Sequence, residues 1–353
     1  MNASTTLGPV RPAHRLDEDR LCDYLSKALP GFSGPLRVRQ FGYGQSNPTY
    51  LIGDTANSRE YVLRKKPPGK LLPSAHAVDR EYRILSALGK TDVPVPRTYF
   101  FCEDAAVLGT PFYLMAHVKG RIFRDASVPE ATDSKARSAI FDAMNETLVK
   151  IHAVDWQALG LKDFGRPGNY MARQVSKWSR QYQASQTDPI ESMDRLIRWL
   201  PDNIPADTAP AIVHGDYRIE NLIFHEHEPR VLAVLDWELS TLGHPLADLA
   251  FNCMGYHIPA SGSRTLGLAG TDLAAKGIPT ESEYVAAYCR RTDRKEIPDW
   301  TFFMSFSLFR MAAIVQGVYK RGLDGIASSA NAKSYGAYVW FLADTAWNLV
   351  SGR

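Results

Sequence analysis

Apolar and polar positions change rhythm once along this chain, near residue 120. Before that point, residues 17–29 place Leu21, Tyr24, Leu25 and Leu29 at helical spacing, so a short amphipathic helix opens the chain. Gly31, Gly34 and Pro35 end it. Strand-like runs follow at 36–41, 49–52 and 61–64, with GYGQSN between the first two and a polar turn, 54–59, joining the last two. Pro73-Ser74 starts a second helix with Val78, Tyr82, Leu85 and Leu88 on one face. Val93-Pro94-Val95-Pro96 is extended, because each proline pushes its predecessor out of the helical region. Two more apolar runs, 98–102 and 111–118, flank a turn holding Gly109. The order predicts an antiparallel sheet with one helix laid on it.

Beyond Gly120 the pattern turns helical. Ile140, Met144, Leu148 and Ile151 form a stripe ending near His152, and residues 170–182 and 192–200 predict two helices rich in Trp, Tyr and Arg. Short strands at 222–224 and 231–235 are joined by the turn HEHEP, and the remainder through Leu349 reads as mostly helical. The greasiest late segment, 300–319, carries Arg310 and Gln316, which marks a buried helix rather than a membrane span. Its Phe302, Phe303, Phe306 and Phe309 read as core. The predicted fold class is α+β in two lobes: an N-terminal helical extension at 1–33, a small antiparallel-sheet lobe at 34–118, and a larger, mainly helical lobe at 119–353. A chain of 353 residues suits two modest cores better than one.

Composition narrows the function classes. The 41 basic and 38 acidic side chains leave +3, with the basic residues scattered, so neither a nucleic-acid groove nor a membrane patch is expected. Cys22, Cys102, Cys253 and Cys289 lie far apart without C-x-x-C spacing, which suggests no zinc knuckle and no disulfide framework. A reducing compartment follows, and with no apolar run at the N-terminus the expected location is cytoplasmic.

The densest chemistry sits in AIVHGDYRIENLIF, residues 211–224. In an antiparallel pair the start of the first strand lies beside the end of the second. Asn221 immediately precedes the strand at 222–224 and Asp236 follows the one at 231–235, so two oxygen ligands meet at one end of a hairpin. Such hard donors, with room for water and phosphate oxygens, suit Mg²⁺. Asp216 stands five residues before Asn221 on the loop leading into that hairpin.

The spacing H-G-D-x-x-x-x-N, with an aspartate after a hairpin, has the shape of a kinase catalytic loop and its metal-binding aspartate. The chain resembles the aminoglycoside phosphotransferase family of small-molecule kinases, from about Leu36 to the C-terminal helices. Within it, VHGDYRIENLIF, VLDWELSTLGHPLADLA, VLRKKPPG and LLPSAHAVDREYRIL are similar to the kinase domain fused to, or encoded beside, acyl-CoA dehydrogenases. The resemblance implies a bilobal protein-kinase-like fold, ATP and Mg²⁺ as cofactors, a small-molecule hydroxyl substrate, and an acyl-CoA dehydrogenase as candidate partner. It makes Asp216 the catalytic base and gives Mg²⁺ to Asn221 and Asp236, with His214 and Asp248 bracing the loop. Gly42 and Gly44 would let backbone approach the phosphates, with Ser46 and Asn47 as donors. Arg64 falls on the third-strand position where protein kinases carry their phosphate-binding lysine, and Glu81 is its natural ion-pair partner. Lys65 follows at once, and only one of the two can face the phosphates; the family alignment favours Arg64. Adenine would rest against the lobe junction, on backbone from Met115 to Val118, with His117 at the rim.

Departures from protein kinases point to a small acceptor. The aspartate box reads Asp236-Trp237-Glu238, and only twelve positions separate Asp236 from Asp248, with no Ala-Pro-Glu and no long activation loop. His225-Glu226-His227 reads as a solvated turn. Candidates for the acceptor pocket are Tyr170, Arg173, Trp178 and Tyr182, with Tyr256, Arg310 and Tyr319 from later helices. Across residues 165–198, Asp188, Glu191 and Asp194 face Arg166, Arg173, Lys177, Arg180, Arg195 and Arg198, the wrong balance for a polycationic aminoglycoside. A hydroxy acid or hydroxyacyl-CoA is the favoured acceptor. An aminoglycoside-, choline- or homoserine-type kinase stands as the alternative, as does a nucleotide-binding pseudokinase partner of an acyl-CoA dehydrogenase.

Overall fold

A computed structural model of the chain describes residues 7–42, 47–67, 77–260, 267–327 and 331–352. In chain order the elements begin β1 (Leu7–Gly8), α1 (Glu18–Ala28), β2 (Leu36–Phe41), β3 (Thr49–Asp54), β4 (Arg59–Lys65), α2 (Val78–Leu88), β5 (Thr98–Cys102), α3 (Ala105–Leu108) and β6 (Phe112–Ala116). Next come α4 (Ser134–Ala153), α5 (Tyr170–Ser185), α6 (Glu191–Asp202), β7 (Ala211–Val213), β8 (Leu222–Phe224), β9 (Val231–Val234) and β10 (Thr241–Gly243). Helices close the chain: α7 (Pro245–Cys253), α8 (Leu273–Lys276), α9 (Glu281–Arg291), α10 (Trp300–Leu323) and α11 (Gly336–Ser351). The expected start of the second helix at Pro73-Ser74 lies outside the described residues.

Two compact units result, Met1–Phe123 with Ile219–Ser240, and Arg124–Arg218 with Thr241–Arg353. The first is built on one six-stranded sheet in the order β1-β2-β3-β4-β6-β5. Every neighbouring pair runs antiparallel, as the short hairpin connections dictate. β4 is central and buried from Tyr61 to Lys65, which explains why its period-2 alternation is hard to see.

Within the expected extension at 1–33, α1 and the turn after it pack on the sheet. Leu21, Leu25, Leu29 and Phe32 pack with Tyr50, Ile52, Tyr61, Leu63, Cys102, Phe112 and Leu114 in one apolar core. An amphipathic helix must bury its stripe somewhere, and this one uses the sheet. Leu21 and Leu25 are fully buried, each contributing about 1.5–3 kcal/mol by burial.

The first compact unit runs past residue 118 to Phe123 and takes in Ile219–Ser240. The β8–β9 hairpin belongs to the first unit because backbone hydrogen bonds tie it there. Arg121 and Phe224 exchange both their bonds at 2.8 Å, and the Val234 N–H reaches the Pro94 carbonyl at 2.8 Å. Gly120 permits this approach: a Cβ at that position would stand 2.2 Å from the Phe224 carbonyl oxygen.

In the second unit, β7 pairs antiparallel with β10, Val213 opposite Thr241 and Ala211 opposite Gly243. β10 is short and was not expected. α10 is the central helix, packed against α5, α6, α7 and α11. Among the described residues it is the one helix long and apolar enough to cross a membrane, but 72% of its apolar window is buried within the protein. Phe302, Phe303, Phe306 and Phe309 are indeed core.

Gly120→Ala is therefore expected to destabilise the protein by about 1–3 kcal/mol, because an added methyl has no room beside fixed backbone. Urea denaturation of wild type and variant measures it; an unchanged midpoint would contradict the close packing of the hairpin on residue 120.

Candidate active site

In β4, Arg64 lies opposite Thr49 on β3 and opposite Tyr113 on β6. Its side chain is almost fully buried, and its Nε stands 2.8 Å from Glu81 Oε2 on α2. From the same guanidinium, Nη2 reaches Asp236 Oδ1 at 2.7 Å and Glu238 Oε2 at 3.5 Å. Lys65, one residue on, points the other way and makes no ion pair among the described residues; burial lowers its pKa. Arg64 is thus the cation of this cluster.

Burial alone would discourage the Arg64 charge, but Glu81, Asp236, Tyr113 and Glu238 outweigh it and raise the pKa above its ordinary value. Glu81 moves up to about 7: burial dominates, Arg64 opposes it, and Asp236 and Glu238 add repulsion. Burial, followed by Glu81, also raises the Tyr113 phenol. Three carboxylates outnumber one guanidinium here, so the cluster has negative charge to offer a further cation.

The hairpin does what antiparallel geometry requires. Leu222 pairs with Val234, and the Leu235 N–H donates to the Asn221 carbonyl at 2.8 Å, which sets Asn221 beside the end of β9. Asp236 follows in a left-handed conformation, φ 65°, uncommon outside glycine and tolerated by Asp. Trp237, buried with its indole N–H on the Val234 carbonyl, fixes that turn. Among the described residues no group of three or more His, Cys, Asp or Glu forms a metal site. An amide oxygen, one carboxylate and phosphate oxygens are nevertheless how Mg²⁺ is commonly held, so Asn221 and Asp236 fit it.

At the nucleotide end, Gly44 and Ser46 lie outside the described residues. The Gly42 carbonyl accepts from Arg11 at 3.3 Å, and buried Asn47 accepts from the Thr49 hydroxyl at 3.0 Å through its carbonyl. Met115 is buried in β6 between Val62 and Thr98, and half-buried Val118 follows that strand. His117 sits 3.1 Å from Glu60, whose carboxyl is held low by Lys119 first and His117 second.

The second unit holds the Asp216 loop. Asp248, on the first turn of α7, accepts the backbone N–H groups of His214 and Gly215, the latter at 2.8 Å. The Asp216 N–H donates to His214 Nδ1 at 3.2 Å. Gly215 has φ +83°, a conformation few other residues adopt. Its carbonyl accepts from Arg310 at 2.7 Å. Behind Asp248 stands His152 at 3.6 Å, and His152 in turn meets the Tyr288 hydroxyl at 2.8 Å. Burial would raise the Asp248 pKa; the bonds and charge of His152, then His214 and the Gly215 N–H, hold it below the ordinary carboxylate value. Asp216 itself stays partly exposed, with Arg218 Nε 3.4 Å from its carboxylate.

The side chains expected at the acceptor are largely buried or hydrogen-bonded within the second unit. Arg310 is buried on the Gly215 carbonyl and lies over the Trp178 and Phe251 rings at 5.4 and 5.1 Å. It supports the loop. Tyr182 is 0% exposed, and Tyr170 and Trp178 are also buried. Tyr256 donates to the Pro279 carbonyl at 2.8 Å, and Arg173 is spent on the carbonyls of Gly168 and Arg166. Helices rich in aromatic and basic residues look alike as core and as pocket wall. Conversely, sequence missed Glu238, Tyr113, His152 and Tyr288. Only Glu238 left a signal, as the acidic residue two positions after Asp236 where protein kinases carry glycine.

Residues 37–288 match the model of the phosphotransferase enzyme family. The chain belongs to that family. It is 48% identical over 344 residues to mouse acyl-CoA dehydrogenase family member 10, covering 97% of this chain but only 32% of that protein. A crystal structure of a putative aminoglycoside phosphotransferase from Ralstonia eutropha superposes with TM-score 0.87 at 46% identity, covering 96% of this chain and 99% of that one. The GDP complex of aminoglycoside 2'-phosphotransferase-IIIa shares the fold at TM-score 0.61 and 15% identity, over 94% and 99% of the two chains. The fold is thus the protein-kinase-like α+β fold of small-molecule phosphotransferases.

Two outcomes follow from the buried charges. Arg64→Met strands Glu81 and should cost about 3–5 kcal/mol, whereas Arg64→Met with Glu81→Gln should cost clearly less than the sum of the single changes. Chemical denaturation of the four proteins measures the coupling; strict additivity would contradict the pair. Asp248→Ala should cost about 3–5 kcal/mol by orphaning two buried N–H groups. Because the Asp248 pKa is lowered in the fold, its stabilisation is present above the unfolded value of 3.8 and is lost as pH falls through the lowered one. Asp248→Asn should accordingly lose less stability than wild type on acidification below about pH 4, as thermal melts across pH would show; parallel losses would contradict the assignment.

Proposed function

We propose that this chain is a small-molecule kinase that transfers the γ-phosphoryl group of ATP to a hydroxyl, with a hydroxy acid or hydroxyacyl-CoA as acceptor. The observation that carries the reading is the meeting of Asn221 and Asp236 at one end of the hairpin, with Asp236 held by the Arg64–Glu81 pair. Structural proteins have no need to aim two hard oxygen donors and a buried cation at one place.

Each residue then has a task. Asp216 accepts the proton of the attacking hydroxyl as its oxygen bonds to the γ-phosphorus and the bond to the β-phosphate oxygen breaks. Asn221 and Asp236 would hold Mg²⁺, which would neutralise charge on the phosphates. Arg64 orients phosphate oxygens while Glu81 holds its guanidinium in place. Asp248, His214 and Arg310 keep the Asp216 loop in shape, so no reorganisation is needed when charge develops.

The acceptor class rests on chemistry of the helical insert, where basic side chains outnumber acidic ones and would repel a polycation. Relatives named for acyl-CoA dehydrogenation support an acyl acceptor and make such a dehydrogenase the candidate partner. The pseudokinase alternative is disfavoured by the presence of Asp216, Asn221 and Asp236 together.

Asp216→Asn keeps the shape but removes the base, and turnover should fall ~10²–10⁴-fold, about 3–5 kcal/mol of barrier. Binding of Mg²⁺·ATP should persist in that variant and stabilise it by about 2.7 kcal/mol at 100 times the dissociation constant. Asp236→Ala should weaken both nucleotide binding and turnover. Steady-state rates and ATP-dependent thermal shifts of the two variants decide it: wild-type turnover in Asp216→Asn overturns the base assignment, and no shift with any nucleotide in the wild type overturns the nucleotide reading.

A further inference from the structure

Away from the Asp216 loop, a groove of about 480 Å³ runs between α9 and the start of α10. Its volume is in the range of small-molecule sites. The walls are apolar: Val285, Ala286 and Cys289 from α9, with Ile297 and Trp300 from the segment that leads into α10. Charge is concentrated at the rim, where Arg290, Arg294 and Lys295 stand within six positions of each other.

None of these three cations makes an ion pair among the described residues, whereas the neighbouring Arg291 pairs with Asp142 at 2.6 Å. Arg294 is the most telling, because its Nε is buried and has no hydrogen-bond acceptor. Two acids share the groove. Glu281 is already engaged by the Trp300 indole N–H at 2.8 Å and by His257 at 2.9 Å. Glu296 is exposed at the rim. The groove therefore joins a rim of three cations and one exposed carboxylate to an apolar wall.

We propose that this groove is a binding site for a single-chain anionic amphiphile, a fatty carboxylate, with its chain along Val285, Ala286 and Trp300 and its carboxylate at Arg290 and Arg294. Each methylene removed from water contributes about 0.8 kcal/mol, and a carboxylate at the rim guanidiniums gains charge-assisted hydrogen bonds. A cationic amphiphile of the same length would meet repulsion at the rim. The site uses none of the residues assigned to phosphoryl transfer, so it stands or falls separately from the kinase reading.

The test is calorimetric titration of the full chain with dodecanoate below its micelle concentration, with dodecyltrimethylammonium and with acetate. Dodecanoate should bind one per chain and the other two should not. Ala286→Trp, a change at an exposed position that fills the groove, should weaken dodecanoate at least tenfold at an unchanged melting midpoint. Arg290→Gln with Arg294→Gln should do the same. Equal binding of the cationic amphiphile, undiminished dodecanoate binding in Ala286→Trp, or no dodecanoate binding to the wild type would overturn the proposal. Binding to phosphatidylglycerol vesicles without binding to monomeric dodecanoate would also overturn it, pointing to a membrane surface instead.

Discussion

A single buried guanidinium organises the chemistry of the first unit. Arg64 sits on a central strand, meets Glu81 from the helix, and holds Asp236 at the end of a hairpin 172 residues away in sequence. Burying a charge is costly unless it is paired, so the arrangement is all-or-none: either every partner is in place or the cation is stranded. That cost makes the cluster informative. A fold that places an ion pair in its interior gains little stability from it relative to apolar packing, and the position is better understood through what it aims.

In the second unit the same device appears with opposite sign. Asp248 is a buried carboxylate whose partners are backbone N–H groups of the Asp216 loop, backed by His152 and through it by Tyr288. A carboxylate that accepts from consecutive amides fixes the path of the chain rather than one side chain, and the left-handed Gly215 lets the loop adopt that path. Arg310 completes the frame from the other side by taking the Gly215 carbonyl. Asp216 is left with its carboxylate partly exposed on a loop braced from both sides.

Much of this could be read from residues alone because it follows from local geometry. Asn221 and Asp236 had to meet, since antiparallel pairing brings the start of one strand beside the end of the next. The sheet and its helix were legible from period-2 and helical spacing. The choice between Arg64 and Lys65 needed coordinates, because alternation says that they face opposite ways but not which way. Glu238 escaped because its reach to Arg64 depends on the turn at Asp236, whose left-handed conformation no pattern announces. Where α1 and the hairpin pack was illegible for a related reason. Hydrophobic spacing tells that α1 has an apolar face and that the hairpin exists, but which core receives them is decided by long-range packing. Arg310, Trp178 and Tyr182 are buried with the same residue types that a pocket would use, so pattern alone does not separate the two.

Phosphoryl transfer to a small hydroxyl compound is the central claim, and mass spectrometry of acceptor mixtures tests it most directly. The intact chain would be incubated with Mg²⁺ and ATP in the presence of hydroxy acids, hydroxyacyl-CoA thioesters, aminoglycosides and choline. The account predicts a phosphorylated product among the hydroxy acids or hydroxyacyl-CoAs, dependent on enzyme, ATP and metal. Rapid phosphorylation of aminoglycosides alone would contradict the acceptor class, and no phosphorylated product from any compound would contradict the enzyme.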